Sequence, residues 1–459
     1  MITTHTTRRT FLTAAGATTL TAAAYARIPG ANDRVGVGVV GYGLIGKTHV
    51  GTFRKLDDVD VVAVCDCHRG RVAEGVEAAG AKATGYADFR KLLDDKAVTA
   101  VIVATPDHWH TLVAMLACAA GKDVYVEKPL TLFVREGEWL QTVATREKRV
   151  VQVGTQQRSG AHYKKARDLI RNGHLGTVTS VRMMAVRNVA PGFGSPPDSN
   201  PPADLDYDMW LGPAPLRRYN PNRALYHFRW FWDYSGGQMT NLGAHHLDIV
   251  DWVLGLDTLK AVAAVGGRYA LTDNGETPDT QDVLFDCGRF SAAFVMREAA
   301  LGEKTGFGLI FHGTRGSLGI DRRGFRVTAD PGTPPVNQVP GIKEGHPVGG
   351  PKAETLTGRE KPRTEAVEDT TGDSAAQYLG HARDFIDCVK SRKAPVSDLA
   401  SAHRVAVACH LGNLSLRLGR SLRWDWKKGV VPGDEEATGK LVRPYRAPWD
   451  QELKTLGVG

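Results

Sequence analysis

Between Val35 and about Thr155, short runs rich in Val, Ile and Ala alternate with longer stretches whose apolar residues recur at helical spacing. The runs fall at 35–40, 59–65, 100–104, 124–126 and 150–153, and a helical stretch at 111–120 stops at Gly121. Strands this continuously apolar are covered on both faces, so the pattern predicts a doubly wound parallel sheet of the α/β class. Past Gln156 the texture changes. A helix over 162–172 precedes a strand over 177–187, and Pro- and Gly-rich sequence then runs from 191 to 202. Alternating runs at 260–269, 282–286, 291–297 and 306–311 predict a second, mostly antiparallel open sheet in an α+β unit with helices on one face. Residues 330–373 combine Pro, Gly, Thr and Glu without an apolar period, which predicts a long surface loop, and helices over 375–391 and 399–418 follow.

The first strand runs into Gly41-Tyr42-Gly43-Leu44-Ile45-Gly46, and the second ends at Asp66, 20 residues after Gly46. In a strand–turn–helix setting the first glycine permits the tight turn. The second lets backbone approach a pyrophosphate, and the third lets the helix pack on the strand. Free N–H groups at the helix start, around Leu44 and Ile45, favour phosphate. Asp66 is placed to accept hydrogen bonds from an adenosine ribose. Alone, the glycine pattern also reads as a plain turn; the strand before it, the helix after it and the acid at this distance point to a dinucleotide site. Asp66 would repel a 2′-phosphate and so favours NAD, while Arg69 keeps NADP as the alternative. The expected organisation is a Rossmann domain over 34–155 and a substrate and oligomerisation domain over 156–459.

Upstream, Arg8-Arg9 stand before Phe11-Leu12, a short Ala/Thr/Leu stretch and Ala24-Tyr25-Ala26. A basic start, a modest apolar segment and an A-x-A end predict a twin-arginine signal over 1–26, hence a periplasmic or extracellular protein. A disordered arm with a chance Arg pair is the competing reading. The twin-arginine route carries folded proteins and nicotinamide nucleotides are scarce outside the cytoplasm, so the cofactor is expected to be loaded first, kept, and regenerated in place. No other segment approaches the roughly 20 apolar residues of a membrane span. At 459 residues with 42% hydrophobic content the chain can bury two cores. Its formal charge of +8 is spread without blocks of one sign and shows no nucleic-acid footprint. Cys65 lies in a predicted strand and Cys118 and Cys409 in Ala-rich helices, which suits packing, and no cysteine or histidine spacing suggests a metal.

Ligands of doubly wound sheets lie beyond the carboxyl ends of the strands. The loop after the third run is Thr105-Pro106-Asp107-His108-Trp109-His110, and the fourth leads into Glu127-Lys128-Pro129. A lysine there, held extended by the proline after it, can hydrogen-bond a hydroxyl undergoing oxidation and stabilise charge on its oxygen. Otherwise it is a solvated surface lysine.

These two segments, with Gly41 to Gly46 and Gly236-Gly237-Gln238-Met239-Thr240-Asn241-Leu242-Gly243-Ala244-His245-His246-Leu247-Asp248, resemble the glucose-fructose oxidoreductase, inositol dehydrogenase and rhizopine-catabolism (Gfo/Idh/MocA) family. Residues 207–215, 228–233 and 443–449 resemble its exported bacterial branch, and the likeness runs over nearly all of the mature chain. The resemblance implies a Rossmann domain carrying NAD or NADP, with cofactor contacts from Thr105, Pro106, His110, Glu127 and Lys128. It also implies a second domain whose open sheet supports homo-oligomers, and a catalytic Lys working with an Asp and a His four residues on. Lys128 takes the first role and His245 the last. The Asp position falls on Asn241, a departure, because Asn neither takes a proton nor carries charge. His246 cannot share the task of His245, since adjacent helical positions point about 100° apart, and an i, i+1 pair is poor metal-ligand spacing.

The aromatic cluster from Tyr226 to Tyr234 offers Trp230 and Arg229 for a carbohydrate, with Gln156 and Arg158 after the last Rossmann strand; an aromatic core is the competing account of the cluster. The expected activity is NAD(P)-dependent oxidation of a sugar, polyol or glycoside, in which bound NAD accepts hydride while His245 takes the hydroxyl proton and Lys128 stabilises the oxygen. The alternatives are an NAD-dependent glycoside hydrolase or lyase that oxidises, eliminates and returns the hydride, and a non-catalytic saccharide-binding protein, for which Asn241 is the only hint.

Overall fold

The computed structural model describes residues 34–301, 308–332 and 361–459. The expected signal at 1–26 and most of the 330–373 excursion lie outside the described residues. Six parallel strands form the first sheet: β1 (Val35–Val40), β2 (Val59–Cys65), β3 (Thr84–Tyr86), β4 (Ala100–Val103), β5 (Asp123–Val126) and β6 (Val151–Val153), in the order β3-β2-β1-β4-β5-β6. Every residue of β1, β4, β5 and β6 is buried, which is why these strands read as unbroken apolar runs. β3 escaped the pattern because Thr-Gly-Tyr is short, exposed and without apolar contrast.

The second sheet has nine strands: β7 (Val178–Val186), β8 (Ala261–Gly267), β9 (Thr280–Asp286), β10 (Ser291–Arg297), β11 (Leu309–Gly313), β12 (Gly316–Asp321), β13 (Gly324–Ala329), β14 (Glu368–Asp369) and β15 (Leu422–Arg423). Their order is β14-β13-β12-β11-β7-β10-β9-β8-β15. Pairing is antiparallel except between β7 and β10 at the centre. In β10 the residues Ala292, Phe294 and Met296 alternate inward, as one covered face requires. The Gly243–Leu254 and Leu399–Leu418 helices share that core. Within the expected 330–373 loop, Glu368–Asp369 is a strand paired with β13, so the described end of the excursion is tied to the sheet.

The lobes are laced together by chain that returns late. In the Ser374–Ser391 helix, capped by Asp373 accepting from Ala375 N, Phe385 and Ile386 pack against the first sheet, with the Phe385 ring 6.3 Å from Phe53 and 5.8 Å from Tyr125. Near the C-terminus, Trp449 sits 4.7 Å from the Trp109 ring and stacks on Phe89. The turn after β6 is pinned by an ion pair. Arg158 Nε donates to both oxygens of Asp248, at 3.0 and 2.9 Å, and its Nη1 donates to Val396 O and Ser401 Oγ. Arg158 and Asp248 are 2% and 0% exposed, so losing either partner strands a buried charge. Replacing Arg158 by Ala is expected to cost about 3–5 kcal/mol of unfolding free energy in denaturant titration, and a cost below about 1 kcal/mol would contradict the role assigned to the pair.

Candidate active site

The turn after β1 is shaped by what its glycines exclude. Gly41 has φ +93°, and a Cβ there would press on the Ala104 carbonyl at 2.6 Å. At Gly46 a Cβ would collide with the Gly41 carbonyl oxygen, so the third glycine sets the helix-to-strand distance. Gly43 differs, because a Cβ there would meet only the Arg71 guanidinium, at 3.5 Å, and the missing side chain leaves open cleft above the helix start. Asp66 accepts from Tyr42 N at 2.8 Å and from His68 N at 2.9 Å, which fixes its carboxylate at the cleft wall. The cleft is lined by Gly41, Gly43, Leu44 and Ile45 on one side, by Asp66 and Arg71 at one end, and by Thr105 and Pro106 on the floor. The buried Thr105 Oγ1 has no partner among the described residues. A glycine-cleared helix start, a fixed carboxylate and an unsatisfied hydroxyl suit a dinucleotide's phosphates and ribose.

The second lobe roofs one end of this cleft. Leu205 bridges to His68, Asp206 N donates to Cys67 O at 2.9 Å, and Arg69 N donates to Asp204 O at 2.8 Å, so residues 204–206 brace the loop that follows Asp66. Arg69 turns its guanidinium to Ala203 O, outward, and the arginine of the first lobe that lines the cleft is Arg71. His108 Nε2 and Trp109 Nε1 both lie within hydrogen-bond reach of Trp210 O, at 3.0 and 3.1 Å. Leu225, Tyr226, Phe228 and Arg229 complete the rim, with the Arg229 guanidinium 4.5 Å over the Phe228 ring.

Lys128 leaves the carboxyl end of β5 between two supports. Behind it, Glu127 is buried, pairs with His49 at 2.8 Å and accepts from Lys128 N at 3.2 Å. His110 faces Pro129 O at 2.7 Å with one ring nitrogen and Thr105 O at 2.9 Å with the other, tying the two loops together. Glu127 and His110 therefore brace the floor, and like Lys128, Asn241 and His245 they are not among the residues lining the cleft. Ahead, Lys128 Nζ donates to Asn241 Oδ1 at 2.9 Å, across to the second lobe. His245 follows one turn later on the Gly243–Leu254 helix, with its Nδ1 buried and unpartnered among the described residues, while His246 packs 6.2 Å from the Phe294 ring.

Three comparisons bear on this geometry. A sequence profile described as "Oxidoreductase family, NAD-binding Rossmann fold" matches residues 35–155. The companion C-terminal alpha/beta domain profile matches 160–266 and 362–451, and a third profile of the same family matches 214–319. The chain belongs to the Gfo/Idh/MocA oxidoreductase family. Inositol 2-dehydrogenase of Salmonella typhimurium is 33% identical over 141 residues, 30% of this chain and 42% of that enzyme. Inositol 2-dehydrogenase 2 of Saccharopolyspora erythraea is 30% identical over 255 residues, 54% of this chain and 61% of that enzyme. The chain thus spans about half the length of the curated relatives it matches. Among solved structures, levoglucosan dehydrogenase in complex with NADH and levoglucosan superposes with TM-score 0.64 at 17% identity, covering 87% of this chain and all of that one. The WlbA dehydrogenase from Bordetella pertussis, in complex with NADH and UDP-GlcNAcA, superposes with TM-score 0.60 at 17% identity, covering 85% of this chain and 99% of that one.

In this Gfo/Idh/MocA chain the first lobe is an NAD-binding Rossmann domain, and the charges beside its cleft are uneven. Burial lowers the Lys128 pKa, the Arg229 and Arg322 charges lower it further, and Glu127 and Asp107 oppose them. Burial pushes His245 well below the ordinary histidine range, and the charges of Lys128 and Arg322 add to the effect. His245 is therefore a neutral ring able to take a proton, beside a cation that loses its own more readily than a free lysine. Of the expected substrate contacts, Arg229 reaches the rim. Arg158 lies in its ion pair with Asp248, away from the cleft, and Gln156 is buried in the same turn. Trp230 is buried, and its indole N–H donates to Glu298. Sequence reasoning passed over Gln238 and Glu298. Gln238 stood inside the motif without a role, and the one available signal for Glu298 was a carboxylate directly after the apolar alternation of β10.

Proposed function

We propose that the chain is an exported oxidoreductase that converts a ring hydroxyl of a sugar, polyol or glycoside to a ketone while retaining its NAD, which a second, carbonyl-bearing substrate reoxidises in place by taking the hydride and becoming an alcohol. The observation that carries this reading is the Lys128 ammonium, held at 2.9 Å from Asn241 Oδ1 beside a neutral His245 at the carboxyl end of the nucleotide-binding sheet. Bound NAD supplies the hydride acceptor. His245 takes the hydroxyl proton, and Lys128 donates a hydrogen bond to the same oxygen, holding the negative charge that builds there as the carbon–hydrogen bond breaks. Arg229 and the aromatic rim are suited to the sugar's hydroxyls and C–H faces. Retention of the nucleotide is supported by the bracing of the Asp66 loop by residues 204–206, and polyol chemistry by the inositol 2-dehydrogenases among the relatives. Export is supported by Arg8-Arg9 and the segment ending at Ala26.

Incubation with inositols, hexoses and aryl glycosides together with a carbonyl acceptor in deuterated water, followed by mass spectrometry, is expected to yield a keto product and reduced acceptor. Free sugar carrying an exchanged hydrogen would replace this reading with oxidation, elimination and hydration, and unchanged substrates throughout would remove both. Lys128→Ala should lower turnover by at least about 100-fold and leave nucleotide content unchanged; full activity would remove Lys128 from the chemistry. The pH profile of kcat/KM should fall on the acid side as His245 gains its proton, below the ordinary histidine value. It should fall on the alkaline side as Lys128 loses its own, below the ordinary lysine value. An alkaline limb at or above that value would contradict the site electrostatics. With Arg8 and Arg9 both changed to Lys, fractionation should find the protein in the cytoplasm, and undiminished export would refute the twin-arginine reading.

A further inference from the structure

Asn241 is neutral, yet its orientation is dictated from a distance. Glu298, 1% exposed just beyond β10, accepts from Trp230 Nε1 at 2.7 Å, from Arg187 Nε at 2.9 Å and from Gln238 Nε2 at 2.8 Å. A carboxylate only accepts, so Gln238 must turn its NH2 group toward Glu298 and its oxygen away. That oxygen accepts from Asn241 Nδ2 at 3.0 Å, which leaves Asn241 Oδ1 for the Lys128 ammonium at 2.9 Å. Each amide is aimed by the partner behind it, and the series begins at an acceptor-only group. An amide turned over would present NH2 to the ammonium, donor against donor.

We infer that Glu298 and Gln238 are positioning residues for Lys128, and that Asn241 serves where the family's aspartate was expected because the fixed acceptor stands two links further back, at Glu298. The inference rests on the reading of Lys128 as the group that holds the reacting oxygen. It also sets a condition on the alternatives. An aspartate at 241 offers oxygen in either orientation and needs no aiming, and its carboxylate would instead meet the Gln238 oxygen that Glu298 turns toward it, acceptor against acceptor, so the sense of the Glu298 effect depends on which residue occupies position 241.

The test is a double-mutant cycle on the full chain with its nucleotide bound, comprising the unaltered protein, Glu298→Gln, Asn241→Asp and the double variant. Two readouts are taken from each, kcat with KM on the substrate found above, and the titration of Lys128 followed by competitive acetic anhydride labelling and mass spectrometry. The groups facing Lys128, namely Glu127 and Asp107 from its own lobe and Arg229, Arg322 and His245 from the other, stay unchanged in all four. With Asn241 in place, Glu298→Gln should lower kcat about tenfold with little change in KM, and should make Lys128 react at lower pH. With Asp at 241, the same substitution should not lower kcat, because it frees Gln238 to turn its NH2 group toward the aspartate. Equal effects in both backgrounds, or unaltered Lys128 labelling in Glu298→Gln, would overturn the inference and leave Glu298 a packing residue. Gln238→Met, which leaves Glu298 with Trp230 and Arg187, gives the same comparison should the Glu298 variant fail to fold. Labelling needs no turnover, so an inactive parent protein would sink the proposed reaction while the relay is still decided.

Discussion

The site depends on one hydrogen bond that crosses between lobes, from Lys128 Nζ at the end of the parallel sheet to Asn241 Oδ1 on a short helix of the open sheet's domain. An ammonium on a flexible four-carbon stem has little preferred direction of its own. Here direction comes from both ends, with Glu127, Pro129 and His110 fixing the root of the side chain and Asn241 fixing its tip. Because the two ends belong to different lobes, everything that holds the lobes in register also holds the site. The Arg158–Asp248 pair, the Ser374–Ser391 helix and the Trp449 contacts do that.

The same lacing shapes the nucleotide cleft. In a bare doubly wound sheet the ribose end of the cofactor lies open beyond the strands. In this protein residues 204–206 add backbone hydrogen bonds to the loop after Asp66, and Leu225 to Arg229 stand over the opening. The arrangement fits an enzyme that keeps its nucleotide through many turnovers. Lys128 and His245 are themselves buried, and that burial pushes both toward their neutral forms. The acid–base tuning has a plain physical cause, the loss of water around Lys128 and His245.

Much of this was legible in the sequence, for identifiable reasons. Strands buried on both faces leave continuous apolar runs, so 35–40 and 59–65 were readable to the residue, and a glycine turn in front of a helix carries its steric purpose in its letters. What stayed hidden depends on contacts between distant segments. Arg158 read as a cleft residue because it is polar and follows a strand, and its partner Asp248 comes from a helix 90 positions away. β12 and β13 lack a clear alternation because Gly316, Gly319 and Gly324 interrupt it, and they become a hairpin through their pairing with each other and that of β12 with β11. The Glu298–Gln238–Asn241 series was beyond reach for the same reason, since no local pattern says that a carboxylate after β10 will meet an amide on the helix before His245. The departure at Asn241 was visible in the sequence, but its compensation was not.

The central claim is that a carbon-bound hydrogen leaves the substrate for a nicotinamide held between the lobes, opposite Lys128 and His245. The most direct measurement uses a ring polyol or sugar deuterated at its carbons, added to protein carrying oxidised nucleotide, with the nucleotide then released and weighed by mass spectrometry. The account predicts that the released nicotinamide carries one deuterium in the unaltered protein and none in Lys128→Ala. Product formed by the unaltered protein with no deuterium on its nucleotide would contradict it.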